Sequence, residues 1–174
     1  MIAETNRLIL REFEVTDAKH LFRLNSDFDV IKYTGDKPFG SINDAEVLLN
    51  NYSQYRNYGY GRWAVIVKET GNFIGWCGLK YLEEINETDL GYRFFKDQWG
   101  KGYATESSIK ALELAFQKFQ IPNVVGKVMK ENEASIRVLK KVGMQYWKDF
   151  DFDGHPGEYY RIEMGKIPGY WATM

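Results

Sequence analysis

Cysteine is nearly absent. Cys77 stands alone in 174 residues, which excludes an intrachain disulfide and any multi-cysteine metal site. It falls in a strand-like run, where a buried inert thiol is the simpler reading than a nucleophile. Histidine is almost as scarce, and His20 and His155 show no metal-ligand spacing, so no metal is expected. No charge of one sign prevails. With 23 Lys and Arg against 24 Asp and Glu the formal net charge is -1, so no basic excess argues for nucleic acid as a partner. No apolar run approaches the ~20 residues of a membrane helix, and no basic-then-apolar leader opens the chain. The expectation is a soluble cytoplasmic protein with no membrane partner.

Repeats, low-complexity tracts and linkers are missing too, so residues 1–174 read as one domain. Hydrophobic residues at 44% are ordinary for a globular chain, whereas aromatics at 16% are abundant. Tyr and Trp suit core and sheet surface, and also half-wet clefts.

Periodicity divides the chain into elements. Arg7–Phe13 reads as a strand. Thr16 or Asp17 caps a helix whose apolar stripe is Ala18, Leu21, Phe22 and Leu24. Asp29–Gly40 reads as irregular, and Ser41 starts a second helix with Ala45, Leu48, Leu49 and Tyr52 on one side. Arg62–Lys68 and Phe73–Tyr81 form a hairpin, followed by a strand at Thr88–Phe95. Thr105–Phe119 is the clearest helix. A strand at Val124–Met129 and a helix at Glu133–Val142 ended by Gly143 come next. A last hairpin, Met144–Phe152 with Glu158–Met164, turns at Asp153–Gly157. This order predicts an α/β fold of the α+β type, a mixed sheet with helices on its faces.

The run Trp99-Gly100-Lys101-Gly102-Tyr103-Ala104-Thr105-Glu106 joins the aromatic strand to the clearest helix. Two glycines allow a tight turn and close approach to a ligand. The helix then aims its free N–H groups and positive dipole end at that turn, which suits a phosphate or pyrophosphate. Lys101 adds charge. A nucleotide P-loop would need a glycine five positions before Gly100 and Ser or Thr after Lys101, and neither is present. The dinucleotide pattern fails because position 105 is Thr.

Three segments together resemble the GNAT superfamily of acyl-CoA-dependent N-acetyltransferases, over roughly Arg7 to Met164. They are the opening Arg7-Leu8-Ile9-Leu10-Arg11, the pair Leu90-Gly91-Tyr92 and Trp99–Glu106, and Asn132–Leu139 with Lys140-Lys141-Val142-Gly143-Met144. The branch they most resemble contains the ribosomal-protein N-terminal acetyltransferases. The resemblance implies a mostly antiparallel GNAT-like sheet with helices on both faces. It also implies an enzyme moving an acetyl group from acetyl-CoA to a primary amine by direct attack. The acceptor would be a small amine or a protein N-terminus, and the protein a monomer or homodimer. The alternative is a catalytically silent acyl-CoA-binding sensor or scaffold.

The resemblance assigns the cofactor site to Gly100, Lys101, Gly102, Tyr103, Ala104 and Thr105 for the pyrophosphate, and to Tyr92, Arg93, Phe94 and Phe95 for the pantetheine arm. Asn132 would bond that arm or cap its helix, and both can hold. Ser135 is either close to the cofactor sulfur or an ordinary first-turn serine. Arg137 and Lys140 read as solvated, a 3′-phosphate contact being the alternative. Leu139 stands where many relatives carry a proton-donating tyrosine, so water, Ser135 or the substrate ammonium must supply that proton. Asp89, then Glu87, are the candidate general bases, against the plainer reading of solvated strand-end carboxylates. The acceptor site is expected between the first two helices, the 29–40 loop and the last hairpin, with Tyr33, Tyr58, Tyr60, His155, Glu158, Tyr159 and Tyr160 at its rim.

Overall fold

Runs of β-branched and aromatic residues, broken by short turns, assemble into an eight-stranded sheet. A computed structural model describes residues 1–166, 168, 169 and 171. The strands are β1 (Ala3–Glu4), β2 (Leu8–Arg11), β3 (Arg62–Val67), β4 (Phe73–Leu82), β5 (Glu87–Phe94), β6 (Asn123–Met129), β7 (Gln145–Phe152) and β8 (His155–Glu163). The helices are α1 (Ala18–Ser26), α2 (Phe28–Ile31), α3 (Ile42–Asn50), α4 (Gln54–Tyr58), α5 (Tyr103–Glu113) and α6 (Glu133–Lys141). Spatial order is β1-β2-β3-β4-β5-β6-β8-β7. Every neighbouring pair is antiparallel except β5 and β6.

Helices cover both faces, as expected. On one side α5 and the helical turn after it bury Ala111, Leu112, Ala115 and Phe116 with Leu8, Leu10, Leu79 and Val124. On the other, α1 and α3 bury Ala18, Leu21, Leu24, Ala45 and Leu49 with Ala64, Phe73 and Phe95. Each large apolar side chain buried this way contributes about 1.5–3 kcal/mol. Cys77 lies wholly buried in the first cluster beside Ser108, and burial raises its thiol pKa. No helix among the described residues is long and apolar enough to cross a membrane.

Several boundaries differ from expectation, among them the turn of the last hairpin, which is tighter because β8 begins at His155 rather than Glu158. The clearest helix begins at Tyr103 rather than Thr105, because Gly102 takes the left-handed conformation at φ +82° and serves as its N-cap. Its C-terminal turn widens to π geometry over Leu114–Lys118, with Phe119 N–H donating to Leu114 O at 2.9 Å. The stretch read as irregular contains α2, which Asp27 starts by accepting a side-chain bond from Asp29 N–H.

Two features of the sheet place the site. Directly paired residues share a face, so Arg62, Trp76, Lys80, Asp89 and Arg93 stand on the side of α1 and α3. The second feature is the β5–β6 junction. Its register holds a single pair, Asp89 with Val125. Beyond Asp89 the two strands diverge, and the later half of β5 presents its backbone to a gap.

Candidate active site

The gap beside β5 opens into a cleft of about 600 Å³ that reaches the N-terminus of α5. It is lined by Tyr92, Arg93, Phe94, Gly100, Gly102, Tyr103, Ala104, Thr105, Asn132 and Ser135. Gly100 and Gly102 sit at φ +74° and +82°, where an L side chain would be strained. The first N–H groups of α5 have no carbonyl within their own helix. The chain tethers the loop from behind. Arg7 Nη1 donates to Lys101 O at 3.0 Å, Arg7 Nε donates to Glu106 Oε2 at 2.7 Å, and the guanidinium lies 4.6 Å from the Tyr103 ring centroid. Burial alone would raise Glu106, but bonds from Thr5 Oγ1, Arg7 N–H and the Arg7 guanidinium outweigh it and hold the carboxyl below its ordinary range. Trp99 Nε1 donates to Phe94 O at 2.9 Å and closes the end of the open strand edge.

Two residues expected here lie elsewhere. Phe95 turns its ring into the α1 cluster, 6.2 Å from Phe73. Lys101 reaches along the surface to Gln98 Oε1 at 3.3 Å. Gly100 and Gly102 line the cleft and Lys101 does not. The sequence reading missed Lys32, Lys96, Trp99 and Lys141 along this cleft. Arg137 lines it and Lys140 does not.

A second cleft, of about 380 Å³, lies on the α1 and α3 side of the sheet. Its walls include Phe13, Leu21, Tyr52 and Trp76, with Tyr33, Asp36 and Phe39 from the loop and Phe152 from β7. A Cβ on Gly35 would lie 2.8 Å from Asp153 Oδ2, so loop and last hairpin meet over this cleft as expected. The rim differs. Tyr33 lines the cleft, but Tyr60 and Tyr160 are core residues at 7% and 1% exposure. Tyr58, His155, Glu158 and Tyr159 do not line it either. Period-2 alternation turns Tyr160 inward and Tyr159 to the opposite face.

Two arginines organise the floor. Arg62 crosses from β3 to pair with the Asp89 carboxylate and donates to Asp89 O at 2.9 Å. A Cβ on Gly91 would lie 2.5 Å from that guanidinium, so glycine makes the crossing possible. Arg93 donates to Asn25 Oδ1 on α1 and to Asp36 Oδ2 at 2.6 Å. Both guanidinium carbons lie 5.4 Å from the Trp76 centroid, a favourable placement for cation–π attraction. Asp89 is therefore in the cleft, with its carboxylate engaged by Arg62. Glu87 is outside both clefts and accepts from the Tyr159 hydroxyl.

The clefts share Tyr33, Thr34, Tyr92, Arg93, Asn132 and Ser135. At this junction Tyr92 Oη lies 2.8 Å from Ser135 Oγ and donates to Ser135 O at 3.1 Å. Burial raises the Tyr92 hydroxyl far above its ordinary range, so it remains a proton donor. Asn132 caps α6 by accepting from Ser135 N–H at 3.1 Å, and it also lines both clefts. The sequence reading placed Tyr92 here through its backbone and missed its hydroxyl.

Comparison with known proteins agrees with this geometry. The family profile described as "Acetyltransferase (GNAT) domain" matches residues 7–145. An uncharacterized N-acetyltransferase, p20, of Bacillus licheniformis is 33% identical over 143 residues, covering 81% of this chain and 80% of that one. The crystal structure of a GNAT-family acetyltransferase from Bacillus anthracis superposes with a TM-score of 0.81 at 26% identity, covering 95% of this chain and 99% of that one. The spermidine N-acetyltransferase of Vibrio cholerae, solved with CoA and spermine, gives 0.80 at 21% identity, covering 93% and 98%.

Proposed function

The chain belongs to the GNAT acetyltransferase family, and from that premise we propose that it transfers acetyl from acetyl-CoA directly to a primary amine at the junction of the two clefts. The observation that carries the reading is the open edge of β5, which runs from the phosphate cradle to the Tyr92–Ser135 pair. The cofactor fits what is present. A pantetheine arm has two amides to pair with the backbone groups that β5 turns toward the gap around Tyr92, Arg93 and Phe94, and its pyrophosphate suits the N–H groups of residues 100–105.

Acetyl-CoA supplies the activated thioester; the chain supplies position, polarisation and a proton. A β5 backbone N–H donates to the thioester carbonyl oxygen as charge builds on it. The N–C bond forms as the C–S bond breaks. Ser135 Oγ–H would supply the proton to the leaving sulfur, with Tyr92 Oη holding the serine hydroxyl in place at 2.8 Å, and water that has taken the amine's proton would restore the serine. This pair fills the role that Leu139 cannot. The incoming amine must lose a proton. Asp89 shares its carboxylate with Arg62 and Glu87 lies off the site, so we assign that proton to water. An α-amine of pKa ~8 is already partly neutral at physiological pH, unlike a lysine-type amine at ~10. This favours a peptide α-amine. The ribosomal-protein branch reading, supported by the Arg7–Arg11 and Trp99–Glu106 segments, points the same way. The spermidine enzyme of Vibrio cholerae shares the fold and keeps small amines in the acceptor panel.

The test is calorimetric titration with acetyl-CoA, ATP and NAD, followed by thiol release across an amine panel. Selective acetyl-CoA binding with turnover supports the proposal. Binding without turnover on any amine supports the sensor alternative, and absence of binding by folded protein removes both.

A further inference from the structure

The acceptor cleft carries more positive than negative charge. Four cationic side chains line it, Arg62, Lys80, Arg93 and Lys127, against two carboxylates, Asp36 and Asp89. Both carboxylates are already committed, Asp89 to Arg62 and Asp36 to Arg93. Lys80 and Lys127 have no ion pair or hydrogen bond among the described residues. Register places them together. Lys80 is directly across from Asp89, Asp89 pairs with Val125, and Lys127 lies two residues along β6 on the same face. The two lysines therefore flank the ion pair at the point where β5 and β6 part.

Arg93 lies between the two clefts and lines both, with its guanidinium already held by Asn25 and Asp36. A polyamine entering here would meet two surplus ammonium groups and no free carboxylate, which opposes its binding. An acceptor with its own anionic group would instead meet unpaired cations.

We infer that the acceptor is an amine bearing a carboxylate or phosphate group, which Lys80 and Lys127 recognise beside the junction. The inference rests on the proposed transferase reading and names its substrate class. The anion sits on the floor of the acceptor cleft while the amine points to Ser135.

The test is calorimetric titration of the CoA-saturated protein with matched acceptors. The carboxylate arm compares the C-terminally amidated peptides Ser-Asp-Phe-NH2 and Ser-Asn-Phe-NH2, which differ in one carboxylate. The phosphate arm compares glucosamine 6-phosphate with glucosamine, and spermidine is the cationic reference. At least one acidic member is expected to bind about tenfold tighter than its neutral partner, roughly 1.4 kcal/mol, and tighter than spermidine. The arm that shows the preference identifies the group. In Lys80→Gln and Lys127→Gln the ratio is expected to fall toward one. Equal affinities within both pairs, no measurable binding of either acidic member, a preference for spermidine, or a ratio unmoved by both substitutions overturns the inference. Failure of CoA itself to bind is a different result and removes the proposed function instead.

Discussion

Tyr92 Oη and Ser135 Oγ lie 2.8 Å apart, joining the central strand to the first turn of α6 at the place where the two clefts meet. Ser135→Ala is expected to lower kcat by about 10²-fold, within the range for loss of a positioned proton donor. Tyr92→Phe removes only the hydroxyl behind it and is expected to lower kcat by about tenfold. CoA affinity should change less than threefold in both. Steady-state kinetics beside calorimetry separates the effects. Wild-type kcat in Ser135→Ala would exclude the serine as donor.

Gly102 sits at φ +82°, and a Cβ there would lie 3.4 Å from Arg7 Nη2. Space exists, so the obstacle is backbone conformation, about 1–2 kcal/mol for an L residue. Gly102→Val is expected to keep the fold and lose at least tenfold in acetyl-CoA affinity. Circular dichroism and calorimetry on the same sample check this. Unchanged affinity would show that the cradle is not the phosphate site.

The Arg62 and Asp89 side chains are each 12% exposed. Removing one member of a buried pair strands the other charge, at a cost of about 3 kcal/mol. Asp89→Asn should therefore lower Tm by about 6–12 °C, and the double variant Arg62→Met, Asp89→Leu should recover part of it. An unchanged Tm with activity lost only on the acid side of the pH profile would return Asp89 to the role of base.

Glu106 has a carboxyl held below its ordinary range by Thr5 and Arg7 against the opposing effect of burial. The unfolded chain takes up that proton first as pH falls. The stability Glu106 contributes is thus complete above the ordinary glutamate pKa and disappears as pH drops through the lower folded value. Glu106→Gln should be less stable than wild type at pH 7, with the gap closing as pH falls below the ordinary glutamate range, about 4.3. Urea midpoints at each pH measure it, and a gap constant with pH would show that the charge contributes nothing.

What the sequence disclosed is local. Gly100 and Gly102 announce a left-handed turn because few other residues adopt one, and Asn132 announces a helix start because its side chain completes the first turn. Alternation likewise located β3 to β6. Long-range partners were illegible. Nothing near Asp89 in sequence reports that Arg62 will reach it, although Gly91 records the space that the guanidinium needs. Tyr92 reads as one strand residue among several, and only the packing of α6 brings Ser135 to its hydroxyl. Tyr60 and Tyr160 looked like rim residues because tyrosine suits core and cleft alike, and their buried faces depend on strand register.

The parting of β5 from β6 leaves hydrogen-bonding groups exposed in the middle of a sheet, a feature that at an outer edge invites another chain to add a strand and aggregate. Here the gap is walled by α2 and α6 residues such as Val30, Ala134 and Val138. A narrow, single-file molecule can enter, but a strand still attached to a neighbouring sheet cannot. Helical residues thus occupy the side from which another sheet would have to approach the open edge.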